Sequence, residues 1–222
     1  MDWIAFWLSL RLGFFTVLLL LPVGIVVGRL LAYRQFPGKG IAEALVALPL
    51  VLPPTVLGYY LLVSFGAASP VGKIWDAVFG GQLVFTFEGL LVASMIVNLP
   101  FAIQPMQRAF EAIPVEVREA AACSGMSPLK ALGRIEIPLA WPGIATAMVL
   151  SFAHTLGEFG VVLMVGGAIP GETRTIAIAI YDRVQAFDEQ SAAQMSALLL
   201  ALSLGTIALT IGLSRRVGRR LS

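Results

Sequence analysis

The chain has 222 residues, 58% of them hydrophobic and 13% charged, with a mean hydropathy of +0.89 and a formal net charge of +2. This balance excludes an ordinary soluble globular domain and points to a polytopic membrane protein. A single cysteine, Cys123, excludes an intrachain disulfide, and with so small a net charge the placement of the charges matters more than their sum.

A membrane-crossing helix needs about 20 apolar residues. Five stretches qualify: 12–31, 44–65, 89–106, 139–165 and 192–213. The first lacks a basic leader and a small-residue cleavage site, so it reads as a span and not as a signal peptide. A short turn follows, broken by Pro37-Gly38. The second span holds Pro49, Pro53 and Pro54 just before Thr55. Each proline removes a donor, so this helix kinks or breaks, either to shape packing or to line a pathway. An outer loop over 69–82 carries a short amphipathic piece at 71–79, and the third span contains Asn98, Pro100 and Pro105.

The segment 114–138 is polar within an apolar chain. Pro114, Glu116 and Glu119 suit a helix start, and Gly125 suits its C-terminal cap. Ser127-Pro128 restarts a second short helix, and Pro138 marks a boundary before the fourth span. The reading is two short helices around a glycine hinge. Ala120, Ala121 and Ala122 are small enough for another protein's surface to approach closely. Beyond the fourth span, 168–190 forms a second outer segment, with a short helix expected over 175–186.

Lys and Arg set the orientation. Eleven of the fifteen (Arg29, Arg34, Lys39, Arg108, Arg118, Lys130, Arg134, Arg215, Arg216, Arg219 and Arg220) fall on one side, which the positive-inside rule assigns to the cytoplasm. Arg11, Lys73, Arg174 and Arg183 fall on the other. The N-terminus is then outside and the C-terminus inside. The basic tail reads as a topological anchor and a lipid-headgroup contact.

No phosphate-binding loop is present. The nearest decoy, Gly66 to Ile74, has five residues before Gly72-Lys73 instead of four and lies in an outer loop.

The charged segment resembles the cytoplasmic motif of permease subunits of ABC importers, E-A-A-x3-G-x9-I-x-L-P. Here it runs Glu119-Ala120-Ala121, Gly125, Ile135 and Ile137-Pro138, with every fixed spacing kept and isoleucine in place of the leucine. The resemblance implies an all-α type I importer permease, a single transmembrane domain over 1–222, with 114–138 as the coupling segment that docks on an ATPase subunit. Glu119, Ala120, Ala121, Gly125, Ile135 and Pro138 carry that role over. Phe36-Pro-Gly-Lys39, Leu48-Pro-Leu-Val-Leu-Pro-Pro-Thr55, Leu156-Gly-Glu-Phe-Gly160 and Ile169-Pro-Gly-Glu-Thr-Arg-Thr-Ile176 are similar to molybdate permeases, with tungstate and sulfate permeases as the alternatives. The implied assembly has two copies of this chain, two ATPase subunits holding ATP and Mg, and an external oxyanion-binding protein. It sits in the inner (plasma) membrane and involves no nucleic acid. The chain itself is a non-catalytic subunit that binds no cofactor and no metal.

A dianion needs neutral donors along its path. Ser94 and Asn98, and Ser151 and Thr155, are pairs at i, i+4, and Thr55 follows the proline kink. Each alone reads first as an interhelical hydrogen-bonding residue, and it is their clustering that adds the pathway reading. Glu158, about 27 Å along the fourth span at ~1.5 Å per residue, lies near the outer interface. It would repel a dianion, so a structural or gating role is expected, such as pairing with backbone N–H groups. His154, the only histidine, reads as a packing or hydrogen-bonding residue. A secondary transporter, the reading from a different class, usually shows an internal repeat and a midplane carboxylate, and the sequence offers neither.

Overall fold

The computed structural model describes the backbone of residues 1–221 and the side chains of residues 1–208, and within that range the chain is built of helices without strands. α1 (Trp3–Tyr33) begins where the Asp2 carboxylate accepts the Ala5 N–H. Its 31 residues reach about 46 Å at ~1.5 Å each, longer than the hydrocarbon layer requires.

α2 (Lys39–Val51) and α3 (Pro54–Phe65) take the place of one straight second span. Their axes differ by 111°. The residue before a proline is pushed out of the helical region, and Leu52, with ψ 136°, is extended. Pro53 and Pro54 then give α3 a start that needs no backbone donors. The kink or break expected within 44–65 is thus a full break, and the span is two half-helices.

α4 (Pro70–Phe79) is capped by Ser69, whose hydroxyl accepts the Gly72 N–H at 2.8 Å. α5 (Phe87–Glu111) starts at Thr86 in the same way and runs through Pro100 and Pro105 without a break. α6 (Val115–Cys123) leads through Gly125 into α7 (Pro128–Ala131), a π-helical turn at Leu132–Glu136, and α8 (Ile137–Gly157). The last three form one unbroken helix over 128–157. The expected second short helix, and the boundary at Pro138, are corrected accordingly. Pro138 has no N–H to donate, and the wide turn just before it absorbs that loss without ending the helix.

The fourth span also stops earlier than the expected 165. α8 ends at Gly157, Glu158 is extended, and a separate short helix, α9 (Gly160–Gly166), follows. α10 (Ile176–Gln185) and α11 (Glu189–Leu221) complete the chain. Among the described residues, four helices are long and apolar enough to cross a membrane, or five with the bent pair counted as one. The basic tail at Arg215, Arg216, Arg219 and Arg220 lies outside the described side chains.

α1, α5 and α8 form the central bundle. Gly24 and Gly28 let α1 touch α5: a β-carbon on Gly24 would stand 2.7 Å from the Met106 sulfur, and one on Gly28 3.0 Å from the Gln107 backbone nitrogen. Met106, Phe110, Ala140, Ile144 and Ala147 fill one part of the core. A second unit joins α3 and α9 against α5, with Leu57, Leu61, Phe65, Val97, Val161 and Val165 inside. Large side chains left bare, such as Trp7, Phe14, Leu18 and Val26 on α1 and Ile41, Leu45 and Val51 on α2, suit a lipid or protein environment.

Candidate functional site: a coupling segment, a buried polar network and two helix breaks

At one end of the bundle lies the polar segment. α6 buries one residue, Ala121, and leaves Glu119 and Ala120 exposed. The turn after it needs glycine. Gly125 has φ +72°, its N–H bonds the Ala122 carbonyl, and the Met126 N–H bonds the Ala121 carbonyl. This pattern is the Schellman closure of a helix, and a non-glycine residue there carries a Cβ penalty. Ser127 Oγ accepts the Lys130 N–H at 3.4 Å, which starts α7. Ile135 is half-buried in the π turn and Pro138 is exposed. Leu129, 81% exposed, and Val115 flank this surface as bare apolar groups on an otherwise polar segment.

Sequence reasoning missed the contacts that fasten this segment to α1. Glu136, only 4% exposed, receives both Arg29 Nε and Arg29 Nη2, the latter at 2.9 Å. The Arg118 guanidinium sits 3.8 Å from the centre of the Tyr33 ring, with Arg29 on the same ring at 5.6 Å. Tyr33 packs edge-on against Phe110. The available signal was a single carboxylate, Glu136, between isoleucines at the mouth of a span. Nearby, Gln107 Nε2 donates to both Glu43 and Glu111 at 2.9 Å, which ties α2 to α5.

In the middle of the bundle the structure brings four candidate path residues together. Asn98 Nδ2 donates to the Ser94 carbonyl at 2.8 Å and to Thr155 Oγ1 at 3.0 Å. Thr155 Oγ1 donates to the Ser151 carbonyl at 2.8 Å. Thr16, from α1, donates to Ser94 Oγ at 3.0 Å. All five side chains are buried. Ser94, Asn98 and Thr155 therefore meet between α5 and α8, and Ser151 joins them through its carbonyl. Asn98 Oδ1 and Ser151 Oγ have no hydrogen-bond partner among the described residues. Thr16 was not foreseen, because a lone threonine in an apolar span gives no spacing signal.

Thr55 is set apart. It is exposed in the first turn of α3, beside the break between α2 and α3. The break between α8 and α9 abuts that one: a β-carbon on Gly160 would stand 2.7 Å from Pro54 Cβ. Glu158 Oε1 accepts the Val161 N–H at 2.9 Å, so its carboxylate caps α9. His154 stacks on Phe101 with ring centres 4.2 Å apart, and its Nε2 is 3.8 Å from Glu158 Oε2. At the far end, Arg174 pairs with Asp182 at 2.9 Å and with Asp2 at 3.5 Å, and Ser9 Oγ accepts the Ile176 N–H. These contacts join the outer segment to the start of α1. No trio of His, Cys, Asp or Glu side chains among the described residues is placed to hold a metal ion.

Residues 21–222 match the family described as binding-protein-dependent transport system inner membrane component. The molybdenum transport system permease protein of Azotobacter vinelandii is 49% identical over 187 residues, 84% of this chain and 83% of its own. Its Escherichia coli K12 counterpart is 36% identical over 98% of this chain and 97% of its own. The sulfate transport system permease protein of E. coli K12 is 31% identical over 89% of this chain and 71% of its own. Among solved structures, a bacterial ABC transporter for import of the acidic polysaccharide alginate superposes with TM-score 0.77 at 17% identity, over 96% of this chain and 78% of its own. An inward-facing methionine ABC transporter superposes with TM-score 0.71 at 20% identity, over 95% of this chain and 93% of its own. At these identities the structural likeness concerns the fold.

Proposed function

The chain belongs to the family of binding-protein-dependent transport system inner membrane components, and from that premise we propose that it is the permease subunit of an ATP-driven importer of molybdate. The observation that carries this reading is the 49% identity to a molybdenum permease over most of both chains. Supporting it is the motif from Glu119 to Pro138, which forms a capped, exposed helix and a glycine turn at one end of the bundle. Sulfate permeases match at lower identity, and sulfate is therefore a competing substrate in the test.

In this reading two copies of the chain enclose the path, two ATPase subunits hold ATP and Mg, and an external protein delivers the oxyanion. The basic end that holds Arg34, Lys39, Arg118 and Lys130 faces the cytoplasm. There α6, with Glu119, Ala120, Ala121 and Gly125, docks on the ATPase, and Ile135 and Pro138 seat the following helix. Leu129 and Val115 supply the apolar part of that contact. The chain contributes no phosphate loop, so hydrolysis belongs to the partner.

Along the path, Thr55 keeps its pathway role. It is exposed, it is neutral, and it stands in the first turn of α3, beside the break between α2 and α3. Ser94, Asn98 and Thr155 hold α5 to α8, Thr16 holds α1 to Ser94 on α5, and Ser151 accepts Thr155 within α8, so they support the path wall from behind. Glu158 fixes the α8–α9 break. Its carboxylate is spent on the Val161 N–H, which lowers its repulsion of a passing anion.

The test is reconstitution with the ATPase and binding-protein subunits in liposomes. Uptake of molybdate that requires ATP and all three proteins supports the reading. Absence of ATP-dependent oxyanion uptake overturns it.

A further inference from the structure

The coupling helix is held weakly by its own chain. α6 buries only Ala121, so side-chain contacts from its neighbours carry much of its attachment. Two of them converge on the last turns of α1. Arg118, on α6, lies against the Tyr33 ring at 3.8 Å. Glu136, in the π turn that follows α7, holds Arg29 through both guanidinium nitrogens, four residues before Tyr33. Arg29 also covers the Tyr33 ring, so the four side chains form one connected unit that spans α1, α6 and the base of α8.

Two features make this unit more than surface decoration. Glu136 is almost fully buried, and a buried carboxylate that loses its bidentate partner cannot turn to water without moving backbone. The backbone at Glu136 is π-helical, a geometry that often marks functional positions in helices. Tyr33 is braced from behind by Phe110, so a push on Arg118 reaches α1 and α5 together.

We propose that Glu136 and Arg29, with Tyr33 and Arg118, are positioning residues that carry displacement of α6 into α1, so that α1 moves with the ATPase. The proposal rests on the permease reading above and adds a route inside this chain that the coupling motif itself does not name. The pair acts through neighbours and touches neither ATP nor oxyanion. Removing its charge should therefore separate hydrolysis from transport and leave assembly intact.

The experiment uses the reconstituted complex of permease, ATPase subunit and binding protein, with molybdate as probe. Glu136→Gln, Arg29→Gln and the double Arg29→Gln/Glu136→Gln are compared for ATPase co-purification, hydrolysis rate and molybdate taken up per ATP. In each single variant the ATPase is expected to co-purify at wild-type level while uptake per ATP falls at least tenfold. The double variant, which leaves no unpaired charge and replaces the ion pair by two amides, should show about the same loss as the worse single variant, because the two residues act as one unit. A purely structural pair would lower the amount of complex and leave the ratio unchanged. An unchanged ratio in the single variants, or losses that multiply in the double variant, would overturn the link. Wild-type complex that shows no ATP-dependent uptake would instead defeat the permease reading itself. If the single variants do not assemble, the double variant decides alone: a normal ratio in it refutes the link, and a collapsed ratio supports it.

Discussion

Gly125 sits in open space, with no atom within 4 Å of where a β-carbon would stand, so only its backbone resists substitution. At φ +72° a side chain costs about 1 kcal/mol, more for a β-branched one. Gly125→Val should leave membrane insertion untouched and shift α6 against α7. The expected outcome is reduced co-purification of the ATPase, or hydrolysis uncoupled from uptake, with Glu119→Gln milder; normal binding and uptake would make the segment a plain loop. Asn98 is a different kind of residue. Its amide bridges α5 to Thr155 on α8 in a fully buried setting. Asn98→Leu removes that bridge and leaves Thr155 and Ser94 short of a partner, a loss of about 1–3 kcal/mol. Thermal unfolding in detergent should show a lower midpoint together with slower uptake, whereas an unchanged midpoint would mean that the network does not bind the helices together. The sequence displayed the polar residues of this network and their helical spacing. It could not display that α5 turns Ser94 and Asn98 onto α8, because spacing defines a face of one helix and not what that face meets.

Helix boundaries were legible where the chemistry is local. Pro53 and Pro54, Gly125, and Ser127-Pro128 each leave a mark that any reader of backbone sterics can find. The break at Glu158 was not legible. Apolar residues continue on both sides, no proline intervenes, and the break falls where Gly160 meets Pro54 closely, a contact made by residues distant in sequence. The π turn at Leu132–Glu136 was equally silent, because it lets the helix pass Pro138 where a boundary was expected. The α9 cap gives this scale its own prediction. Glu158→Ala removes the acceptor of the Val161 N–H and should cost about 1 kcal/mol of local stability. Glu158→Gln keeps an acceptor oxygen and should retain most of it. Hydrogen exchange at the amides of 160–163 reads the difference. Equal protection in Glu158→Ala and wild type would remove the capping role.

At the scale of the molecule, the basic residues collect where the ends of α1, α5 and α6 meet the start of α8, as the Arg29–Glu136 and Arg118–Tyr33 contacts show. The opposite end is joined by Arg174 to Asp2 and by Ser9 to Ile176. Cysteine substituted at Lys73 should be labelled from outside the cell and cysteine at Arg118 only after permeabilisation; the reverse pattern would invert the topology. The apolar side chains of α2 and α3 left exposed suit a lipid or protein environment. The measurement that bears most directly on the whole account is binding-protein-dependent ATPase activity in liposomes, with molybdate, tungstate and sulfate compared at equal concentration. The account predicts stimulation by molybdate, shared with the nearly isosteric tungstate and exceeding that by sulfate. Stimulation by sulfate alone, or hydrolysis indifferent to every oxyanion, would contradict it.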